Sequence, residues 1–216
     1  MRFIVTEEER QGLVRQVPEF ARAVRAVGDE PFGCGGDLFC ELCRSIVSQQ
    51  LAVRAAEAIF ARLNGLLGQI TPKNLLDAAP EALRGCGLSA RKVEYLRGAA
   101  QAAISGAIDF DRLADEPDET VISALSSLKG VGRWTAEMLL IFSLGRHDVL
   151  STGDLGVRRG LEILFDRDGF TTEELADLRR RVSPYGTLAS LALWRIKDGG
   201  LPVSGTEKTN DGVETI

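Results

Sequence analysis

Histidine is almost missing from this chain of 216 residues, His147 being the only one. Cysteine is limited to Cys34, Cys40, Cys43 and Cys86, and none follows Cys86. Only Cys40 and Cys43 have a spacing that suits a metal, and they fall within one helical pattern. With one histidine and no second cysteine pair, a four-ligand zinc site cannot be completed, so the cysteines read as buried or partly buried free thiols. No apolar run approaches the roughly 20 residues that cross a bilayer. Met1 to Glu9 lack the apolar core of a secretion signal, so a cytoplasmic protein with no membrane partner is expected. Period-two alternation of apolar and polar residues occurs nowhere at length, which argues against a sheet.

What is present is helical periodicity. Hydrophobic residues make up 44% and charged residues 26%, enough for one sizeable core or two smaller ones sharing a cleft. Residues 6–27 read as one or two helices broken at Pro18, with Glu19 to Val24 resuming a helix after it. From Asp37, a candidate N-cap, a long helical pattern continues to about Leu63, and its polar insertion Ser48-Gln49-Gln50 marks a kink or a corner. Short helices begin at Thr71-Pro72 and at Pro80. Ser89 caps a helix from Ala90 to about Ser105, whose first turn carries Arg91 and Lys92; a basic first turn opposes the helix dipole, so the pair is either simply solvated or turned to an anion. Asp118 is expected to cap the next helix. Later helices run to about Leu144, from Leu155 to Phe165, from Thr171 or Thr172 to Val182, and from Tyr185 to about Asp198. The fold class is all-α, of roughly ten helices. One domain is expected over residues 1–200, and Gly199 to Ile216 is expected to fray because it has little to bury.

The chain is organised around Leu128-Lys129-Gly130-Val131-Gly132-Arg133-Trp134-Thr135-Ala136. Two glycines flank one apolar residue, so the backbone can turn tightly while Val131 anchors the turn from below. Val121, Ile122, Leu125 and Leu128 precede it, and Trp134, Met138, Leu139, Ile141 and Phe142 follow it, at the spacing of buried helical faces. The unit reads helix, hairpin, helix, and the unpaired amides at the start of the second helix suit an anion such as a phosphate. About twenty residues on, Asp154 stands where a further helix starts; spacing alone makes it an ordinary N-cap.

These segments resemble the helix-hairpin-helix DNA glycosylase superfamily, specifically its alkylpurine (3-methyladenine) branch. The resemblance extends from about Phe39 to Gly199 through Ser45 to Leu51, Gly87 to Leu96, the hairpin, Ser151 to Gly160 and Ser183-Pro184-Tyr185. It implies two helical subdomains with a cleft between them, and duplex DNA containing alkylated bases as partner, bound by a monomer. Asp154 matches the catalytic carboxylate. Breaking an N-glycosidic bond builds positive charge on the sugar, which a fixed anion stabilises, and the same carboxylate can orient a water. Trp134, Trp194, Tyr185 and Met138 would line a pocket for a flipped base, and an indole face attracts an alkylated, cationic purine; two tryptophans in the core are the plainer reading. Trp134 also stands where bifunctional relatives carry a Schiff-base lysine, which implies hydrolysis without strand cleavage.

The resemblance further assigns DNA contact to Lys129, Gly130, Val131, Gly132, Arg133, Thr135, Arg91 and Lys92, and to the corner Gln49, Gln50 and Leu51, where Gln50 or Leu51 would fill the gap left by the flipped base. A sodium or potassium ion on the carbonyls of Lys129 and Val131 is expected, and no other cofactor. The iron–sulfur cluster of some relatives has no cysteines to hold it. Two departures from the family pattern are Gly186, in place of an arginine, and Ser151-Thr152-Gly153, in place of a proline and an acid. Net charge is −5, but residues 109–120 alone hold six acids against Arg112, while 129–160 hold five basic residues against three acids, so acidity is expected to lie away from the hairpin. A non-catalytic hairpin DNA-binding module, or a glycosylase for mismatched or oxidised bases, are the competing readings. Asp154 disfavours the first, and the missing lysine and cluster cysteines disfavour the second.

Overall fold

The computed structural model describes residues 4–29, 31 and 36–199. The expected fraying of 200–216, and Cys34, lie outside the described residues. Twelve α-helices and two 3-10 turns make up the regular structure among those described, with no strand.

α1 (Glu7–Gln16) starts at a capping box in which Thr6 and Glu9 satisfy each other's backbone N–H. Pro18 then removes a donor. In place of the expected resumed helix, the chain makes 3-10 turns at Pro18–Ala21 and Val24–Ala26. Arg10 fastens them, its guanidinium donating to the carbonyls of Val24 at 2.6 Å and Val27 at 2.8 Å. The long pattern after Asp37 resolves into α2 (Leu38–Ser48) and α3 (Val53–Leu67), joined by a corner at 49–52 where Gln50 takes φ 57°.

α4 (Pro72–Asp77), α5 (Pro80–Gly85) and α6 (Ala90–Ile104) follow, the last capped by Ser89 as expected. α7 (Phe110–Leu113) is a single turn too short to show periodicity in the sequence. In α8 (Asp118–Ser126) Pro117 holds the N-cap position and Asp118 is the first helical residue, contrary to the cap expected of it; its carboxylate lies 3.4 Å from the guanidinium of Arg146 instead. α9 (Arg133–Phe142), α10 (Leu155–Phe165), α11 (Thr172–Val182) and α12 (Gly186–Lys197) complete the fold.

The buried apolar residues fall into two clusters. One is built from α2 to α9, and the other from α1, the 3-10 turns, α10, α11 and α12, so the first residues of the chain pack with the last helices. Phe142 and Trp194 touch both clusters, which marks the seam between them. In the second cluster α10 and α12 touch at backbone distance. A Cβ on Gly160 would come within 2.4 Å of the Leu193 carbonyl oxygen, so only glycine fits there. Gly186, where an arginine was the family expectation, donates its N–H to Asp148 at 3.1 Å. Asp148 also accepts from the Ser183 hydroxyl, so this carboxylate is satisfied without a guanidinium.

Candidate active site

The hairpin between α8 and α9 is a packed object. Gly130 takes φ 86°, and a Cβ there would lie 2.1 Å from the ring of Tyr95, so glycine is required both by the turn and by the neighbour. Val131 is buried at 5% exposure and donates its N–H to the Leu128 carbonyl at 3.1 Å, the anchoring expected of it. Gly132 occupies the N-cap of α9 with no side-chain cap, leaving the first amides of the helix to an outside acceptor.

Several side chains expected at the DNA surface are used internally. The Gln49 amide donates to the Gly130 carbonyl at 2.9 Å, tying the corner to the hairpin. Lys92 donates to the carbonyls of Val47 and Gln49, both at 2.7 Å, and so closes the C-terminal end of α2; burial lowers its pKa from the usual lysine value. Thr135 is 5% exposed, its side chain turned into the protein. Gln50, Leu51 and Arg91 are exposed. Lys129 is exposed and paired with Glu94 at 2.5 Å.

Arg133 grips Glu119 with both terminal nitrogens, at 2.6 and 3.1 Å, and Glu137 through its Nε at 3.0 Å. The hydrogen bond to Glu119 raises the Arg133 pKa, and the same bond holds Glu119 below the ordinary carboxylate value. This corrects the expected separation of charge: Glu119, from the acidic stretch, reaches the hairpin exit.

Asp154 is the N-cap of α10, where Oδ1 accepts the Val157 N–H at 2.8 Å. The same oxygen accepts the indole N–H of Trp194 at 2.8 Å, and Oδ2 accepts that of Trp134 at 2.7 Å. Both tryptophans of the chain therefore converge on one carboxylate, one from each side of the seam. The sequence predicted faces for a base and could not predict these edges, because the partners lie 20 and 40 residues from Asp154. Trp194 is partly buried and stacked on Phe142, with ring centroids 5.9 Å apart, while Trp134 is 48% exposed and keeps indole surface open. Gly156 makes this closure possible, since a Cβ there would be 2.8 Å from Trp194 and 3.0 Å from the Asp154 carboxylate.

Met138, one turn beyond Trp134, is half-buried against the first core. Tyr185, the N-cap of α12, lays its ring over Gly12 of α1 and packs α1 on α12. Leu155, 82% exposed beside Asp154, was not singled out in the sequence; an apolar residue at a helix N-terminus carries no signal of its own there.

No group of three or more His, Cys, Asp or Glu side chains able to hold a metal occurs among the described residues. Cys40, Cys43 and Cys86 are free, and burial pushes the Cys40 and Cys43 thiols up. Among the described residues no helix is long and apolar enough to cross a membrane.

The family model described as "HhH-GPD superfamily base excision DNA repair protein" matches residues 43–184, which span the corner, the hairpin and Asp154. The chain belongs to this superfamily. Among its relatives, DNA-3-methyladenine glycosylase 1 of Schizosaccharomyces pombe is 41% identical over 160 residues, covering 72% of this chain and 70% of the relative. A DNA-3-methyladenine glycosidase structure from Bacillus halodurans superposes with TM-score 0.81 at 36% identity, covering 91% of this chain and 92% of that one. The S. pombe 3-methyladenine DNA glycosylase in complex with abasic DNA superposes with TM-score 0.75 at 35% identity, covering 88% of this chain and 97% of that one. Within this HhH-GPD chain Trp194 lies beyond the matched span, so its bond to Asp154 is known from the structure alone.

Proposed function

We propose that this chain is a monofunctional DNA glycosylase that extrudes an N3- or N7-alkylated purine from duplex DNA and hydrolyses its N-glycosidic bond. The observation that carries the reading is the Asp154 carboxylate held by three N–H donors beside the open indole of Trp134. An ionised carboxylate offers about four acceptor positions. Three are used, which leaves one for a water while the anion faces the positive charge that develops on the sugar. Alkylation at N3 or N7 makes the base a cation that leaves without protonation, so no general acid is needed, and the indole face favours that cation. His147, bonded to Glu9 at 2.7 Å, has no part in the chemistry.

The same reading gives the remaining parts their roles. The uncapped start of α9 takes a phosphate, with Arg91 and Lys129 near it, and Arg133 joins only by leaving Glu119. Exposed Gln50 and Leu51 stand at the corner for the minor groove. The carbonyls of Lys129 and Val131 accept no hydrogen bond among the described residues. Neutral oxygens of that kind fit sodium or potassium, which would add positive charge next to the phosphate. Water is the nucleophile: a tryptophan occupies the lysine position, and Lys129 is engaged with Glu94. A cytoplasmic monomer acting on double-stranded DNA is the corresponding reading of its setting. Incubating methylated duplex with the protein and then cleaving with alkali tests the proposal: breaks that need both protein and alkali support it, and methylated duplex left intact rejects it.

A further inference from the structure

We infer that Glu137 is a positioning residue for Asp154, acting through the hydroxyl of Ser151. The inference rests on the glycosylase reading for its kinetic part and on geometry for the rest. Glu137 is a carboxylate buried at 4% exposure on α9, one turn beyond Trp134. Ser151, 0% exposed, donates its hydroxyl to Glu137 Oε2 at 2.5 Å. The segment from Ser151 to Asp154 is therefore pinned to α9 by two rungs, Ser151 to Glu137 and Asp154 to Trp134, each set three residues apart on both sides.

The segment is closed within itself as well, because the Asp154 N–H donates to the Ser151 carbonyl at 3.0 Å. Ser151 N–H reaches Ser190 Oγ at 3.4 Å, and that hydroxyl donates to the Val149 carbonyl at 2.8 Å, which attaches the segment to α12. Fixing Ser151 thus fixes where Asp154 begins. A buried carboxylate is costly unless fully bonded, and Glu137 is supplied by Ser151 and by Arg133, whose remaining nitrogens hold Glu119.

Two tryptophans mean two indole N–H resonances, both bonded to Asp154 and assigned with Trp134→Phe and Trp194→Phe. In Ser151→Ala and Glu137→Ala the Trp134 resonance should move toward that of an unbonded indole, whereas Glu137→Gln, which keeps a carbonyl for Ser151, should hold it near the native position. Under single turnover on methylated duplex the two alanine variants should slow base release by about tenfold or more, and Ser151→Ala, which leaves Arg133 with both its carboxylates, should keep native duplex affinity. The Ser151→Ala/Glu137→Ala double variant should be no slower than either single one, as expected of one shared interaction. Unmoved resonances in folded Ser151→Ala protein, or additive losses in the double variant, would overturn the inference. If the native protein releases no base while the resonances still respond, the glycosylase reading fails and the positioning stands.

Discussion

Trp194→Phe isolates one hydrogen bond at the centre of the site. The substitution keeps an aromatic ring against Phe142 and removes the N–H that donates to Asp154 Oδ1 at 2.8 Å. A hydrogen bond to a charged group is worth about 1.5–3 kcal/mol. Val157 N–H on the same oxygen and Trp134 N–H on the other still restrain the carboxylate, so only part of that value should reach the transition state. About 1.4 kcal/mol corresponds to a tenfold slower release. The smaller ring also leaves a gap beside Gly156, where the indole now lies, costing about 1 kcal/mol of stability, so rates should be compared well below the melting temperature. Single-turnover release from methylated duplex at saturating protein removes binding from the measurement. A folded Trp194→Phe variant that releases base at the native rate would refute the claim that the indole edge holds Asp154.

Gly130→Ala should destabilise the fold by about 3 kcal/mol, through left-handed strain and collision with Tyr95, and calorimetry should show a melting temperature lower by several degrees. Lys92→Met keeps the stem but leaves the carbonyls of Val47 and Gln49 without their donor; about 2 kcal/mol of stability should be lost while the salt dependence of duplex binding stays native. A flatter salt slope in that variant would return Lys92 to the phosphate surface. Glu119→Gln removes the carboxylate that competes for Arg133 and should tighten duplex binding about two- to fivefold by fluorescence anisotropy, in line with the worth of an exposed ion pair.

Features that one residue can announce were legible in the sequence. Gly130 marked the hairpin because its left-handed φ and the ring of Tyr95 leave no room for a side chain, and Ser89, Asp154 and the Thr171-Thr172 pair marked helix starts because a short polar side chain precedes an apolar period. The 3-10 turns after Pro18 and the single turn of α7 were not, since neither is long enough for a period to appear. Long-range polar contacts were the larger gap. Lys92 reads as a surface base until the end of α2 is found beneath it, and the packing of Tyr185 over Gly12 of α1, 173 residues away in the chain, has no sign in the sequence. Glu137 gave no signal in sequence, and Ser151 only that of a segment departing from the family pattern, because a buried acid and its serine look like any other pair of polar residues.

The central claim is that Asp154 turns a bound alkylated purine into a free base by hydrolysis. It is tested most directly by chromatography of the base released from methylated duplex, by the native protein and by Asp154→Asn, with borohydride present in a parallel reaction. The account predicts free methylated purine from the native protein, a rate at least about a hundredfold lower in the variant, retained duplex binding, and no protein–DNA adduct. Release by Asp154→Asn within about tenfold of native, or a borohydride-trapped adduct abolished by replacing one lysine, would contradict it.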